Sequence, residues 1–362
     1  MQMLDTWMER RFQKILAAIL IVAAALYAVF ALKSHVWADE AYSFALIRHS
    51  YAGIWKITAA DSHPPLFYFL MKTLTAPFGY NLYAARLAAS IPCLAVIALG
   101  GIQLRKLFGT RTAVFFMVLY TLYPFLMTYT TEVRMYSIAE LGIMVNAIFA
   151  YRCWKWDKKR DWAIFAIGGL TAAYSHYFAL VSAGLIYGLL FILALCKKRS
   201  LLKNWLFASI ATILVYLPWL GNLISQLIFK ANNVYWIDPI TPSTIVSYVM
   251  DVFSADAMML YPLFLGSAYL VAFISVVASR DRESIGLSLC ALAIPLGTIA
   301  VGVIASLLLR PVFVIRYVVP SLPLIVLFFA YALGRMKNEM LISSLLTVAL
   351  IGGVNNVATT AK

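Results

Sequence analysis

Apolar residues in this chain fall in long unbroken runs, not in the alternation of a half-buried strand. Runs occupy roughly 15–32, 82–104, 113–129, 135–152, 162–176, 178–196, 205–221, 259–278, 286–309, 318–333 and 341–357. Each is close to the roughly 20 residues that cross a bilayer as a helix. Barrel strands would alternate apolar and polar positions, and in lipid only a helix or a closed barrel satisfies its own backbone. The pattern therefore predicts an all-α polytopic membrane protein with about eleven spans. The first run follows Arg10, Arg11 and Lys14, lacks a small-residue cleavage site and is followed by many more, so it reads as an uncleaved first helix.

Residues 65–78, PLFYFLMKTLTAPF, form an apolar stretch that is too short to span, contains Lys72 and is broken by Pro77 and Gly79. Whether it crosses decides the side of every later loop. If it lies in the interface instead, and the N-terminus is inside, 19 of the 29 Lys and Arg fall in inner segments, including Arg105, Lys106, the 152–160 cluster and the 197–203 cluster. Cytoplasmic loops collect such residues. Counting 65–78 as a span would put those clusters outside. The interfacial choice leaves two substantial outer loops, 33–81 and 222–258, and short outer turns at 130–134 and 310–317.

Composition sharpens this picture. At 63% hydrophobic and 12% charged, the chain is far from the near-half apolar and quarter charged make-up of soluble domains. Eleven spans would consume about 220 residues, so 1–362 reads as one transmembrane domain without a separate soluble one. The net charge of +14 could suggest nucleic acid, but a nucleic-acid binder gathers its cations on one face of a soluble fold. Here they sit in short clusters between apolar runs and fix orientation; no nucleic-acid partner is expected. Cys93, Cys153, Cys196 and Cys290 are isolated and lack metal-ligand spacing.

The remaining polar residues concentrate on the outer side. Asp39 and Glu40 follow the first span, although they could merely mark its end. Asp61, Ser62 and His63 precede Pro64, where an N-cap would account for Asp61. Glu132, Arg134 and Tyr136 occupy a turn too short to need two charges. His176 lies between two spans, and Arg316 and Tyr317 precede another, where Arg316 could simply snorkel to headgroups. All five groups come to one face under a topology drawn from basic residues elsewhere. Carboxylates there could take a proton from a hydroxyl while cations steady a departing phosphate.

The runs DSHPPLFYFLMK, NLYAARLAAS, GIQLRKLFG, TTEVRMYSIAELG, YSHYFALVSAGL and RYVVPSLPL together resemble the membrane glycosyltransferases of the GT-C superfamily. The branch is the glycosyltransferase family 39-like one, related to protein mannosyltransferases and aminoarabinose transferases. The resemblance covers residues 35–335. Trp37 to Glu40 match the family's Trp-x-Asp-Glu, His63 to Leu66 its His-Pro-Pro-Leu, and Glu132 to Tyr136 its Glu-x-Arg-Met-Tyr. Ser175 to Phe178 match Thr-His-Tyr-Phe with Ser for Thr, and Arg316 to Pro320 match Arg-Tyr-x-x-Pro.

The resemblance implies inverting transfer from a polyprenyl-phosphate sugar to a glycan, lipid or protein acceptor, at the outer face of the cytoplasmic membrane. Asp39 would be the general base. Glu40, counted with Asp39 as catalytic, would orient substrates together with Asp61 and Glu132. A divalent metal, if one is used, would draw on Asp61, Glu132 and His176. Lys72, Arg134, His176 and Arg316 would meet the lipid phosphate, with His63, Tyr136 and Tyr317 beside them. After the span that the Arg-Tyr motif leads into, one further span is expected and no outer domain of the kind that, in larger relatives, often shapes acceptor choice. Tyr235 to Pro239 offer aromatic side chains for an acceptor wall or, equally, an interfacial belt.

A transporter or flippase is the rival from another class, but no halves resemble one another and Glu140 is the one acid well inside a span. A scaffold leaves five charged groups on one face unexplained, and the nucleophilic pairs of an acyltransferase are not evident. The parity of the spans is directly measurable. A topology reporter fused after Lys106 should read cytoplasmic and one after Lys230 outer; the reverse would put residues 65–78 across the bilayer.

Overall fold

The computed structural model describes residues 2–33, 35–232, 237–253 and 260–360, and all regular elements among them are helices. The first, α1 (Gln2–Ala31), is followed by three short helices, α2 (Ala38–Leu46), α3 (Tyr51–Ala60) and α4 (Leu66–Thr75). The 10 residues of α4 measure about 15 Å, half the hydrocarbon thickness. It cannot cross alone. Ser50 caps α3 by accepting the Gly53 N–H at 3.1 Å. Gly79, at φ +65°, turns the chain where a Cβ would be strained, and Asn81 then caps α5 (Leu82–Phe108) by accepting the Ala84 N–H at 3.2 Å.

The expected span 113–129 is two helices. α6 (Thr110–Thr121) and α7 (Pro124–Thr130) meet at a 63° bend, because Pro124 removes a backbone donor and fits a first helical position instead. Tyr123 donates its hydroxyl to the Val252 carbonyl at 2.7 Å, anchoring the break. Then come α8 (Tyr136–Trp156), α9 (Lys159–Ser175), α10 (Tyr177–Lys197), α11 (Leu202–Asn232), α12 (Pro242–Phe253), α13 (Tyr261–Ala278) and α14 (Arg282–Leu308). A 3-10 stretch, Ile315–Ser321, leads into α15 (Leu322–Arg335), and α16 (Glu339–Thr360) closes the order.

Every expected span coincides with a helix or a bent pair, but eleven is not reached by length and apolarity. Among the described residues, eight helices are long and apolar enough to cross, nine with the α6–α7 pair. The two that fall short are α8, which carries Glu140 and Asn146 mid-helix, and α9, which has 17 residues. Both are packed inside the bundle. Asn146 donates to the Phe165 carbonyl at 2.8 Å and Tyr120 donates to Glu140 at 2.6 Å, so their polar groups are met by protein instead of lipid.

An all-round apolar helix belongs in a core, and α15 is the case in point: every residue from Leu322 to Leu333 is buried. It packs on α6, α13, α14 and α8. Helices α11, α13 and α14 instead show Leu206, Phe207, Leu263, Phe264, Leu289 and Leu308 on the outer surface, as lipid-facing helices do. The basic end is tied by ion pairs, Arg111 with Glu339 at 2.8 Å, Arg152 with Asp161 at 2.9 Å, and Arg105 with Glu9. At the opposite end the chain arrives or departs at the end of α1, the starts of α5, α8 and α10, and the 3-10 stretch. Those are the places where the candidate motifs lie.

Helices α8 and α9 pack backbone against backbone. A Cβ on Gly142 would lie 2.6 Å from the Ala172 nitrogen, and one on Gly168 would lie 2.5 Å from the Asn146 nitrogen, the close approach that small residues allow between membrane helices. Gly168→Val should therefore destabilise the purified protein by about 1–3 kcal/mol, seen as a lower melting temperature in detergent. Gly184→Ala, whose Cβ meets nothing within 4 Å, should leave it unchanged.

Candidate active site

The polar end opens into a cavity of about 400 Å³ lined by Ala38, Asp39, Tyr42, Asp61, Ser62, His63, Arg134, Arg316 and Tyr317. That volume lies within the roughly 300–1,000 Å³ of small-molecule sites. Four separate parts of the chain supply these side chains: α2, the α3–α4 turn, the α7–α8 turn and the 3-10 stretch. Six of the residues expected from sequence line it together: Asp39, Asp61, His63, Arg134, Arg316 and Tyr317.

Asp39 sits in the first turn of α2, with Trp37 extended before it. Its Oδ2 is 3.5 Å from Arg316 Nη2 and 3.8 Å from Arg134 Nη2, and its side chain remains about a third exposed, at 35%. Arg134 is buried and held from several sides. It meets His63 Nε2 at 3.1 Å and donates to the Asp39 carbonyl and to Ser43 Oγ, both at 3.4 Å. Arg316 is more open and stacks its guanidinium over Trp37 at 5.2 Å. Asp61 terminates α3 and accepts from Ser62 at 3.1 Å. The cavity thus places one reachable carboxylate between two cations, with a second carboxylate across from it.

An aromatic layer backs this arrangement. His63 stacks on His176 at 5.7 Å, His176 meets Tyr317 at 5.0 Å with the rings tilted by 55°, and Tyr317 stacks on Phe178 at 5.2 Å. His176 is buried, and its Nδ1 accepts the Phe178 N–H at 3.1 Å as the cap of α10. Tyr136, also buried, packs against Tyr129 and His176 at 5.0 and 5.8 Å. Neither His176 nor Tyr136 lines the cavity; they support its wall.

Two expected residues are placed elsewhere. Glu40 is wholly buried and turned away from the cavity, where Arg86 grips it with Nε to Oε1 at 2.8 Å and Nη2 to Oε2 at 2.6 Å. It cannot share the chemistry expected of it beside Asp39, because a residue adjacent on a helix points about 100° away. Lys72 lies more than a turn along α4, donating to the Tyr80 hydroxyl at 3.0 Å and sitting over the Tyr51 and Tyr80 rings. A phosphate in the cavity would not meet it.

Glu132 is buried, does not line the cavity, and its Oε2 has no hydrogen-bond partner among the described residues. Burial pushes its carboxyl up to about 7, against the pull of Lys33 and the two site arginines. The metal set expected from sequence does not assemble. No group of three His, Cys, Asp or Glu among the described residues could hold an ion, and the His176 nitrogen nearest the backbone is already engaged by Phe178. Tyr235 and Trp236 of the expected acceptor wall lie outside the described residues; Ile237 is buried against Phe313 and Tyr317.

Sequence reasoning missed Arg86. Its signal was a lone cation inside an apolar run, which in a membrane helix calls for a partner. Tyr42 was also missed, having no local pattern to single it out.

A bundle of membrane helices with a charged cavity at one end, built from the loop after the first helix and from helix starts, is a fold of the GT-C type, as its structural neighbours show. Residues 62–221 match the family described as dolichyl-phosphate-mannose-protein mannosyltransferase. The structure is similar to ArnT from Cupriavidus metallidurans, both in the apo state and bound to undecaprenyl phosphate. Each comparison gives a TM-score of 0.66, at 16% and 15% identity over 89% and 90% of this chain. It is also similar to the Archaeoglobus fulgidus oligosaccharyltransferase tethered with an acceptor peptide, with a TM-score of 0.51 and 13% identity over 99% of this chain. The chain spans 60% of the length of the former and 55% of the latter. At these identities the likeness is one of fold. No curated protein sequence matches.

The two adjacent acids should separate in a stability measurement. Glu40→Ala leaves Arg86 buried without its partner and should cost about 3–5 kcal/mol. Asp39→Asn, at a solvated cavity wall, should leave thermal unfolding in detergent near that of the parent.

Proposed function

We propose that this protein transfers a sugar from a polyprenyl-phosphate carrier to a hydroxyl acceptor, with inversion, at the outer face of the cytoplasmic membrane. The observation that carries this reading is the placement of Asp39, a reachable carboxylate held between Arg134 and Arg316 in the cavity at the polar end. In the reaction the acceptor oxygen attacks the anomeric carbon, the bond from that carbon to the phosphate oxygen breaks, and the electron pair leaves on the polyprenyl phosphate. Asp39 accepts the acceptor's proton, as a positioned general base.

Arg316 and Arg134 are the groups suited to the charge that develops on the leaving phosphate. Arg316 is the better placed to follow it, being the more exposed of the two. When phosphate takes over the arginines, Asp39 is released to the acceptor. His63 fixes Arg134 at 3.1 Å, with His176 stacked on the other side of His63 and Tyr317 packed against His176. Asp61 faces the same space and is the candidate for orienting sugar or acceptor hydroxyls. A bilayer-embedded enzyme with its chemistry at one end suits a donor whose polyprenyl tail stays in lipid. The acceptor is proposed only by class: a lipid-linked glycan, a polysaccharide, a lipid or a protein.

In nanodiscs supplied with a panel of short-chain polyprenyl-phosphate sugars, Asp39→Asn should lower turnover by about 10²–10⁴-fold while donor affinity is retained. Arg316→Ala should weaken donor binding by about tenfold or more without loss of thermal stability. Full turnover by Asp39→Asn would remove the base from this mechanism, and unchanged donor affinity in Arg316→Ala would remove the phosphate contact.

A further inference from the structure

A second cavity, of about 410 Å³, lies between α5, α8, α10, α14 and α15. Its walls include Leu104, Ile148, Leu190, Ile294 and Phe328. It sits toward the far end of the bundle: Tyr151 on its wall is fifteen residues along α8 from Tyr136, about 22 Å at 1.5 Å per residue. The catalytic proposal makes no use of it.

Two observations distinguish this space from a packing defect. Lys197 and Arg282 stand exposed at its rim, and Lys155 and Arg335 lie over the rings of its lining tyrosines, Tyr151 and Tyr331, at 5.8 and 5.2 Å. The one acid at the rim, Glu283, is held by the Tyr151 hydroxyl at 3.2 Å. The other is Ser288, which lines the cavity, is 1% exposed and has a hydroxyl without a hydrogen-bond partner among the described residues. A buried hydroxyl left so is costly, and an acceptor within the cavity would satisfy it.

The spacing of these features matches a lipid. Ser288 lies six residues along α14 from Arg282, about 9 Å deeper, and the polar zone of one leaflet is about 5–7 Å thick. The hydroxyl is therefore just inside the edge of the acyl region, where ester carbonyls sit, when a phosphate is at Lys197 and Arg282. We propose that this cavity binds one chain of an anionic glycerophospholipid from the leaflet at the basic end of the bundle, with its phosphate at Lys197 and Arg282, an ester carbonyl at Ser288 and its tail among the apolar side chains. The site is separate from the sugar-transfer cavity and its occupancy needs no turnover to be read.

The test uses the full chain in detergent, incubated with phosphatidylglycerol or phosphatidylcholine bearing palmitoyl chains. Retained lipid is read by native mass spectrometry, and maleimide labelling is mapped to Cys290, which lines the cavity, apart from the exposed Cys196. Phosphatidylglycerol should be retained as one copy and protect Cys290, and phosphatidylcholine should do neither. Reversing both rim charges with Lys197→Glu and Arg282→Glu should weaken retention about thirtyfold. Gly286→Leu, at a lining position where a Cβ meets nothing within 4 Å, should fold normally and abolish retention by filling the space. Equal retention of both lipids, or retention unaffected by these variants, would overturn the proposal. So would protection of Cys290 by a polyprenyl phosphate and not by phosphatidylglycerol, which would make the cavity the far end of a donor-tail path.

Discussion

The site depends on one buried ion pair. Arg86 enters from the first turns of α5 and spends all its donors: two go to the Glu40 carboxylate, and others to the carbonyls of Ala31, Lys33 and His35. Those carbonyls belong to the end of α1 and the segment just beyond it, groups that a terminating helix leaves without intrahelical partners. In lipid or at its edge they need an answer from protein. Arg86 supplies it, and so fixes where the chain leaves the first span and how α2 begins. Glu40 neutralises the buried guanidinium and also reaches the Val133 N–H at 3.4 Å, bringing in the turn that carries Arg134. Asp39 stands one residue earlier on the same helix, turned toward the cavity because its neighbour is turned away.

Much of the fold was legible from the residues, since lipid leaves a chain few choices. Long apolar runs between basic clusters became helices at the expected places, and residues 65–78 became a helix too short to cross. The count of spans was less legible, because α8 and α9 hide polar residues in protein contacts that a run of letters does not display. The break at Pro124 passed as a continuous run since both halves are equally apolar. The short helices α2 and α3 carry no run at all.

The site was legible as a set but not as a geometry. Five motifs on one face could be read from parity, and six of their residues do share one cavity. Which of Asp39 and Glu40 faces that cavity rests on the partner of each, and Arg86 lies dozens of positions away in the chain. Lys72 belongs to the right loop but points along a helix that carries it off toward Tyr51 and Tyr80. Asp61, Glu132 and His176 looked like a ligand set only while their separations were unknown; His176 turns out to be a cap and a stacking platform.

The interlocked glycines of α8 and α9 bear on how such a site can move. With backbone pressed on backbone at Gly142 and Gly168, these helices have no side-chain cushion across which to slide or shear, so they behave as a single strut. Tyr136 heads one rail of that strut and His176 follows the end of the other, so these two rings, in contact at 5.8 Å, are held in a fixed relation to one another. Asp39 on α2, the turn bearing Asp61 and His63, and the stretch bearing Arg316 and Tyr317 all lie outside that strut, so the cavity joins one stiff element to three segments held to it by side-chain contacts alone.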